Sequence, residues 1–200
     1  MRNIVVYLIL VCLITSTVSN AQLRDDKQYG LIWLHKNGYV RIKGNGQSIT
    51  QIYPEIENLV NKRIKVVVRT GTYFVSSRGY QNMVTREESA FTLAPYATKS
   101  LAIGATCINA NLKIPSERNK FHEVARVSDD LIDFLEASGN SDEMVVQAGV
   151  WAITDRYTAH QVKMHLVSVD SYGNRRQAVS DDDIAEARRI LNKLGIRNRL

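Results

Sequence analysis

The chain has 200 residues, 44% of them hydrophobic and 23% charged, with 3 prolines, 11 glycines and a formal charge of +6 at pH 7. This composition excludes a disordered chain, a collagen-like repeat and a disulfide-rich scaffold, and the length favours one domain. The basic excess does not predict a nucleic-acid partner, because the basic residues of the last helix follow acidic ones in the order that the helix dipole prefers.

Residues 1–21 have the pattern of a signal peptide. Arg2 precedes an apolar run over 4–14, which is too short to cross a membrane, and small residues at Ser19 and Ala21 suit cleavage after Ala21. The sequence therefore predicts an exported protein, located in a periplasm, on a cell surface or outside the cell. We expect no stable membrane span once the signal peptide is removed.

Cleavage would also remove one of the two cysteines. The mature chain then keeps a single cysteine, Cys107, in a compartment where paired cysteines are the rule. Such a cysteine is inert in a core, pairs between chains, or is committed to other chemistry. Lipidation of Cys12 stays an alternative, although Val11 is bulkier than the residue that such sites place before the cysteine.

The first half of the mature chain predicts β-structure. Residues 22–37 are expected to form a lead-in segment, and residues 38–200 to form a single domain. Short alternating or β-branched runs bounded by turn residues predict a β-sandwich or a small barrel. Pro54 suggests that its strand lies at an edge, and Gly71 suggests a bend within one long strand. The predicted strands cover 39–43, 47–59, 64–76, 81–85, 90–93 and 99–109.

The second half predicts helices. Apolar residues follow helical spacing in segments that begin after Ser128, after Asn140 or Ser141, and after Ser180, each with acidic residues in its first turn. A last strand is expected over 162–169. The fold class is therefore α+β, with a β-sandwich-like body followed by two or three helices.

Familiar enzyme motifs are missing from the sequence, including the Gly-x-Ser-x-Gly elbow, the phosphate-binding glycine loop and His-Glu-x-x-His. No cysteine or carboxylate is spaced to complete a metal site with a histidine, so we expect no metal and no cofactor. A thiol-dependent hydrolase or transpeptidase stays an alternative. It would use Cys107 as nucleophile, with His122, His160 or His165 as base.

Two segments resemble the thioester domains of bacterial surface adhesins. These segments are Cys107-Ile108-Asn109 and the hydrophobic-Gln-x-x-hydrophobic-Trp pattern at 146–151. The resemblance implies that the sulfur of Cys107 attacks the carboxamide of Gln147, that ammonia leaves, and that the acyl group later captures an amine. Asn109 and Trp151 would support the bond. The pattern departs from the adhesins at Thr106, where an aromatic residue or leucine is usual, and at Gly149 within the helix.

A second resemblance covers more of the chain, from about residue 38 to residue 155. Segments 71–74, 80–84, 107–109 and 146–155 are similar to a family of exported bacterial proteins. This resemblance implies a shared fold and supplies no mechanism.

Tyr80, Gln81 and Asn82 follow a turn and form a candidate recognition loop, because aromatic and amide side chains combine contact area with hydrogen bonding. The alternative is that they satisfy the backbone of a tight turn. We predict an exported surface or periplasmic binding module for a protein or surface ligand, more a binding protein than an enzyme. A Cys107–Gln147 thioester would make its attachment covalent. A purely structural secreted domain is the remaining alternative.

Overall fold

The computed structural model describes residues 23–24, 26–46, 48–115 and 118–200; the predicted signal peptide, with Cys12, lies outside them. Within these residues the chain forms two main sheets, a small hairpin and five helices. The predicted α+β class is confirmed. The strands are β1 Gln28–Gly30, β2 Val40–Gly46, β3 Gln51–Asn58, β4 Ile64–Val68, β5 Thr72–Val75, β6 Asn82–Thr85, β7 Ser89–Leu93, β8 Thr98–Ser100, β9 Ile103–Ile108, β10 Glu123–Arg126, β11 Val167–Val169 and β12 Arg175–Gln177. One helix lies between β1 and β2, three lie between β10 and β11, and the last follows β12.

The larger sheet has the order β10-β5-β6-β9-β3-β2, with β8 also paired to β3, and the smaller one has the order β1-β4-β7. Both sheets contribute to one shared core, which we call the sheet core. Buried side chains of β4 and β7 meet those of the larger sheet there, and Phe74 packs edge-on against Phe121 at 5.8 Å between ring centroids. The smaller sheet therefore covers one face of the larger sheet, as in a sandwich or a partly closed barrel.

The four helices that follow β10 in the chain form a second core on the other side of β9, which we call the helix core. It joins Val84 and Ile108 of the larger sheet to the apolar faces of the helices. Eight consecutive residues of the helix Glu143–Thr154 (α3) are buried, because this helix lies between β9 and the other helices of this core. The helices are α1 Leu31–Lys36, α2 Asp129–Ala137, α3 Glu143–Thr154, α4 Ala159–His165 and α5 Asp181–Lys193.

The helix ends correct two predictions. The cap of α3 is Asp142, whose side chain accepts a hydrogen bond from the Met144 amide, and not Asn140 or Ser141. The strand expected over 162–169 is mostly helix α4, and only β11 is extended. A capping box explains the difference, because Thr158 and Gln161 satisfy each other's backbone N–H groups and start a helix.

Pro54 does not mark an edge strand, because β3 pairs with β2 on one side and with β8 and β9 on the other. The carbonyl of Pro54 accepts from the Leu101 amide, which lies between β8 and β9. In a strand the N and C=O groups of one residue point to the same side, so the missing N–H faces the place where the partner strand is interrupted.

The segment predicted as one long bent strand over 64–76 is two strands in different sheets. β4 belongs to the smaller sheet and β5 to the larger one, and the chain crosses between them at Gly71. Gly71 has φ +78°, and a Cβ there would lie 2.4 Å from a side-chain carbon of Ile132 in α2. Glycine therefore permits both the turn and the close approach of α2.

The segment predicted as a lead-in packs against the body. β1 pairs in parallel with β4, and Leu31 and Leu34 of α1 are buried in the sheet core. Trp33 stacks between Tyr29 and Tyr39, with ring centroids 5.3 and 5.4 Å apart. None of the helices in the described part of the chain is long and apolar enough to cross a membrane.

Candidate functional site

The structure brings Cys107 and Gln147 into contact through the backbone of Cys107. Gln147 Oε1 accepts a hydrogen bond from the Cys107 amide at 3.1 Å, and Gln147 Nε2 donates to the Cys107 carbonyl at 2.7 Å. The Thr106 hydroxyl also donates to Gln147 Oε1, at 2.7 Å. Gln147 is only 1% exposed. We call this set of three hydrogen bonds the Gln147 clamp.

The clamp takes the place of a missing strand. β3 pairs with β9 at Ile103 and Gly104, and the last bond on that side joins the Ala105 amide to the Thr50 carbonyl. Cys107 lies beyond that point, where its N–H and C=O meet no backbone of a neighbouring strand within the part of the chain that the structure describes. The Gln147 carboxamide offers one acceptor and one donor in the arrangement of a peptide group, so it satisfies both.

Trp151 completes the arrangement one helical turn after Gln147. Its indole Nε1 donates to the same Cys107 carbonyl at 3.1 Å. Both side chains of α3 therefore bind β9, which explains why the helix carries Gln147 and Trp151 at a spacing of four residues. Gln147 and Trp151 are 1% and 4% exposed, so both lie on the buried side of the helix.

Two departures from the adhesin pattern have structural reasons. Thr106, in place of an aromatic residue or leucine, supplies the hydroxyl that binds Gln147. Gly149 lies directly against the ring of Phe134 in α2, where a Cβ would be 1.9 Å from the ring. The helix has a glycine there because the two helices approach too closely for any side chain.

The thiol of Cys107 faces the sheet core, away from the Gln147 carboxamide. Its contact is Met83 Sδ, at 3.3 Å from Sγ, and Met83 is the cross-strand neighbour of Cys107 on β6. Side chains alternate along a strand, so the side chains of Thr106 and Ile108 point to the helix core and that of Cys107 points the other way. The carboxamide thus contacts the backbone of the residue whose sulfur it was expected to meet.

Burial raises the pKa of the Cys107 thiol to about 12. The thiol is therefore protonated at neutral pH, and a protonated thiol is a poor nucleophile. The three candidate bases are exposed, and the ring of His165 lies against Tyr157, with Nδ1 3.0 Å from the Gln161 carbonyl. These positions do not favour the hydrolase or transpeptidase alternative.

The motif residues outside the clamp also meet. Asn82 Nδ2 donates to the Asn109 side chain at 2.9 Å and to the Tyr73 hydroxyl. Asp155 accepts from the Ala110 amide at 3.2 Å. Burial raises the pKa of Tyr73, an effect that its hydrogen bond with Asn82 opposes and Glu123 reinforces. Residues of the four motif segments 71–74, 80–84, 107–109 and 146–155, which are far apart in the sequence, are therefore neighbours at one end of β6 and β9.

The candidate recognition residues are engaged within the protein. Gln81 is 3% exposed, and its Nε2 donates to the Leu112 carbonyl. Tyr80 is half-buried, and its backbone forms an isolated β-bridge with Lys113. Asn82 belongs to the network with Tyr73. Their role in recognition stays a prediction.

A cleft that the sequence did not indicate lies between α1, the crossing from β4 to β5, and α2. Its volume is about 860 Å³, and we call it the Trp33 cleft. Apolar side chains of Trp33, Ile32 and Ile132 line it together with charged ones of both signs, among them Lys36, Arg69, Glu88 and Glu136. No periodic pattern in the sequence links Trp33 to Ile132.

Within the described residues, no group of three or more histidine, cysteine or acidic side chains could hold a metal ion. Comparison with protein-family models, curated proteins and solved structures finds no match to this chain.

Proposed function

We propose that the chain is an exported binding module that holds its ligand in the Trp33 cleft. The observation that carries this proposal is the cleft itself. Its volume of about 860 Å³ lies within the range of roughly 300–1,000 Å³ that is typical of ligand pockets, and its apolar lining carries a few charged groups. The signal-peptide pattern of residues 1–21 supports export.

The lining indicates an amphipathic ligand. Trp33 and Ile132 offer an apolar surface, while Lys36 and Arg69 lie among acidic side chains of the same cleft. The stacking of Trp33 between Tyr29 and Tyr39 fixes its ring. A ring that is already ordered loses little conformational entropy when a ligand packs against it.

Nuclear magnetic resonance can test this proposal with a library of small zwitterionic and amphiphilic compounds added to the mature chain. Ligands of the cleft should shift the indole N–H signal of Trp33. The Trp151 indole is the internal control, because it is buried and bonded to the Cys107 carbonyl. Ile132→Gln should abolish the shifts, whereas Ile114→Gln, at an exposed isoleucine outside the lining of the cleft, should preserve them. Shifts that survive Ile132→Gln, or a library without effect on Trp33, would contradict the proposal.

Export has its own test. Expression of the full chain in a bacterial host, followed by cell fractionation and sequencing of the mature N-terminus, should find Gln22 as the first residue of an exported product. A full-length product that keeps residues 1–21 in the cytoplasm would contradict export. A fatty-acylated product beginning at Cys12 would instead support the lipidation alternative.

The resemblance to thioester domains gives a second candidate, in which the same module attaches covalently through a thioester between Cys107 and Gln147. Sγ of Cys107 would attack Cδ of Gln147, the C–N bond would break, and the nitrogen would leave as ammonia. A ligand amine would then displace the thiol and form an amide. Because the thiol faces the sheet core and the carboxamide faces the helix core, this candidate requires the Cys107 side chain to move to the other side of β9.

Intact mass measures the thioester directly. Loss of ammonia lowers the mass of the mature chain by about 17 Da, and the missing thiol resists alkylation until methylamine opens the bond. Cys107→Ala is the matched control, because it removes the sulfur and keeps the backbone groups of the clamp. Full mass in an amine-free preparation, with alkylation only after denaturation, would exclude the covalent candidate and leave the binding module intact.

A further inference from the structure

A second cleft lies on another part of the molecule, between the start of α2, the end of α3 and residues 196–199. Its volume is about 580 Å³. Ala152, Ile153 and Ile196 give it apolar surface, and its charged lining consists of Asp130 and three arginines, at positions 156, 197 and 199. We call it the arginine cleft.

The three arginines are exposed and have no partners among the described residues. None of their side chains makes a hydrogen bond or an ion pair there, and Asp130 lies in the same lining without pairing with any of them. Some arginines elsewhere are paired, as Arg126 is with Asp129 at 2.6 Å, whereas the side chains of others, such as Arg175 and Arg176, have no partner among the described residues either but do not share a cleft with further arginines. Three guanidinium groups that share one cleft repel each other, so the arrangement favours an anion between them.

The backbone that carries Arg197 and Arg199 is fixed. The Ile196 amide donates to the Leu191 carbonyl at 2.9 Å, and Asn198 Nδ2 donates to Asn192 Oδ1 at 3.0 Å. Arg199 also forms a parallel bridge with Thr158. Because the chain is already ordered on both sides of the arginines, binding an anion costs little backbone entropy.

Arg156 has an unusual backbone conformation for its residue type. It follows the cap of α3 with φ +56°, in the left-handed region where glycine is the usual residue. The helices α1 and α5 are followed by Gly38 and Gly195, both with φ +71°. At the end of α3 the chain instead has an arginine, and its side chain lines the cleft. The strained position therefore supports a role for this side chain in binding.

We propose that the arginine cleft binds a phosphate-bearing ligand. Guanidinium groups match phosphate oxygens with paired hydrogen bonds, and three of them suit a group with several terminal oxygens and about two negative charges. The volume of the cleft suits a compact ligand, whereas a nucleic-acid backbone needs an extended basic stripe. This site is separate from the Trp33 cleft and does not depend on the function proposed there.

The first test titrates the mature chain with inorganic pyrophosphate and measures binding by calorimetry at low salt. Saturable binding to the wild type is expected. Arg197→Gln and Arg199→Gln should each weaken it by about tenfold, since each removes a charged hydrogen-bonding group. Asp130→Asn should tighten it by about threefold, because it removes a repelling carboxylate.

The matched controls are Arg175→Gln and Arg176→Gln. Both residues are exposed on β12 and lie outside the lining, and each variant loses the same single charge. Their affinity should stay within about twofold of the wild type. An absence of saturable binding, or an equal loss of affinity in these controls, would overturn the proposal, because the attraction would then be a property of the net charge.

Arg156→Gly separates binding from stability. Glycine relieves the backbone strain at φ +56°, so the melting temperature of the unliganded chain should rise. Pyrophosphate affinity should nevertheless fall by about tenfold. If the affinity of Arg156→Gly, Arg197→Gln and Arg199→Gln all equals that of the wild type, the arginine cleft is not the site.

Vesicles distinguish a lipid headgroup from a free phosphate compound. Phosphatidylglycerol vesicles, compared with phosphatidylcholine vesicles, are sedimented with the wild type and with Arg199→Gln. Binding to the anionic vesicles that Arg199→Gln weakens identifies a headgroup as a source of the phosphate. Pyrophosphate binding without vesicle binding identifies a free phosphate ligand. Vesicle binding that Arg199→Gln leaves unchanged, together with no pyrophosphate binding, contradicts the proposed site.

Discussion

The Gln147 clamp and the arginine cleft use polar side chains in opposite ways. Gln147 is 1% exposed and makes hydrogen bonds to Thr106 and to both backbone groups of Cys107. The three arginines of the cleft are exposed and make none within the described residues. The clamp joins a helix to a sheet edge, whereas the arginines of the cleft have no side-chain partner among the described residues.

This difference separates stability from function. A buried carboxamide whose partners are all satisfied contributes to folding, because removing it leaves other buried groups without partners. Exposed charges without partners contribute little to folding, and charges of one sign held together oppose it. The clamp should therefore respond to substitution in stability, and the cleft in binding. Each prediction below tests one side of this division.

The largest expected effect is that of Gln147→Ala. It leaves the Cys107 amide and the Thr106 hydroxyl buried without partners, at a cost of about 3–4 kcal/mol in the free energy of unfolding. Urea denaturation measures this loss. Cys107→Ala is the matched control, because it keeps every hydrogen bond of the clamp and should cost only about 1 kcal/mol. Equal losses in the two variants would contradict the clamp.

Gly149→Ala tests the contact between α3, which carries Gln147, and Phe134 of α2. A Cβ at Gly149 would lie 1.9 Å from the ring of Phe134, so α2 and α3 must separate. The loss is expected to be about 2–3 kcal/mol, although alanine is intrinsically the better helix former. Phe134→Leu should recover part of it in the double variant, and a double-mutant cycle measures the coupling. A stabilised Gly149→Ala variant would show that the helices are not in contact there.

Much of the fold could be predicted because it depends on local patterns. Acidic residues after Ser128 and Ser180 predicted α2 and α5, and alternation in 39–43 predicted β2. The strand expected over 162–169 failed on a local signal, the capping box of Thr158 and Gln161, whereas other predictions failed where a partner distant in sequence decides. Gly71 was expected to bend one strand, but whether the chain stays in one sheet or crosses to another depends on which strands lie beside it.

The candidate site shows the same limit. The resemblance to thioester domains implied a bond between Cys107 and Gln147, and in the structure the Gln147 carboxamide binds the backbone of Cys107. The sequence could not show which atoms of Cys107 take part, since the face of a strand residue depends on the register. The Trp33 cleft was missed because its lining comes from three separate elements without a shared period.

The pH dependence of the free energy of unfolding in alkaline solution tests whether Cys107 is a free thiol. Burial raises its pKa from 9.0 to about 12, so the folded chain keeps this proton while the unfolded chain loses it. The contribution of this thiol to the free energy of unfolding is therefore complete below pH 9, and it is lost as the pH rises toward 12. The loss relative to Cys107→Ala should be about 1.4 kcal/mol per pH unit. Urea denaturation in alkaline buffers measures it. A thioester has no thiol proton and would give wild type and variant the same pH dependence.

The smallest expected effect is that of Arg199→Gln on stability. The side chain has no partner among the described residues, and the other charged residues of the cleft are two arginines, Arg156 and Arg197, and one acidic residue, Asp130. Removing its charge relieves repulsion, so the free energy of unfolding should stay within about 0.5 kcal/mol of the wild type, with any change toward greater stability. The backbone bridge to Thr158 does not depend on the side chain.

Thermal denaturation at low and at high salt measures this effect, and screening should reduce the difference between Arg199→Gln and the wild type as salt rises. A destabilisation of about 2 kcal/mol would contradict this expectation, because it would show that the Arg199 side chain, like that of Gln147, contributes to folding. An unchanged or slightly higher stability, combined with weaker pyrophosphate binding, would mean that the chain keeps mutually repelling charges together for a ligand, at a small cost to its own folding.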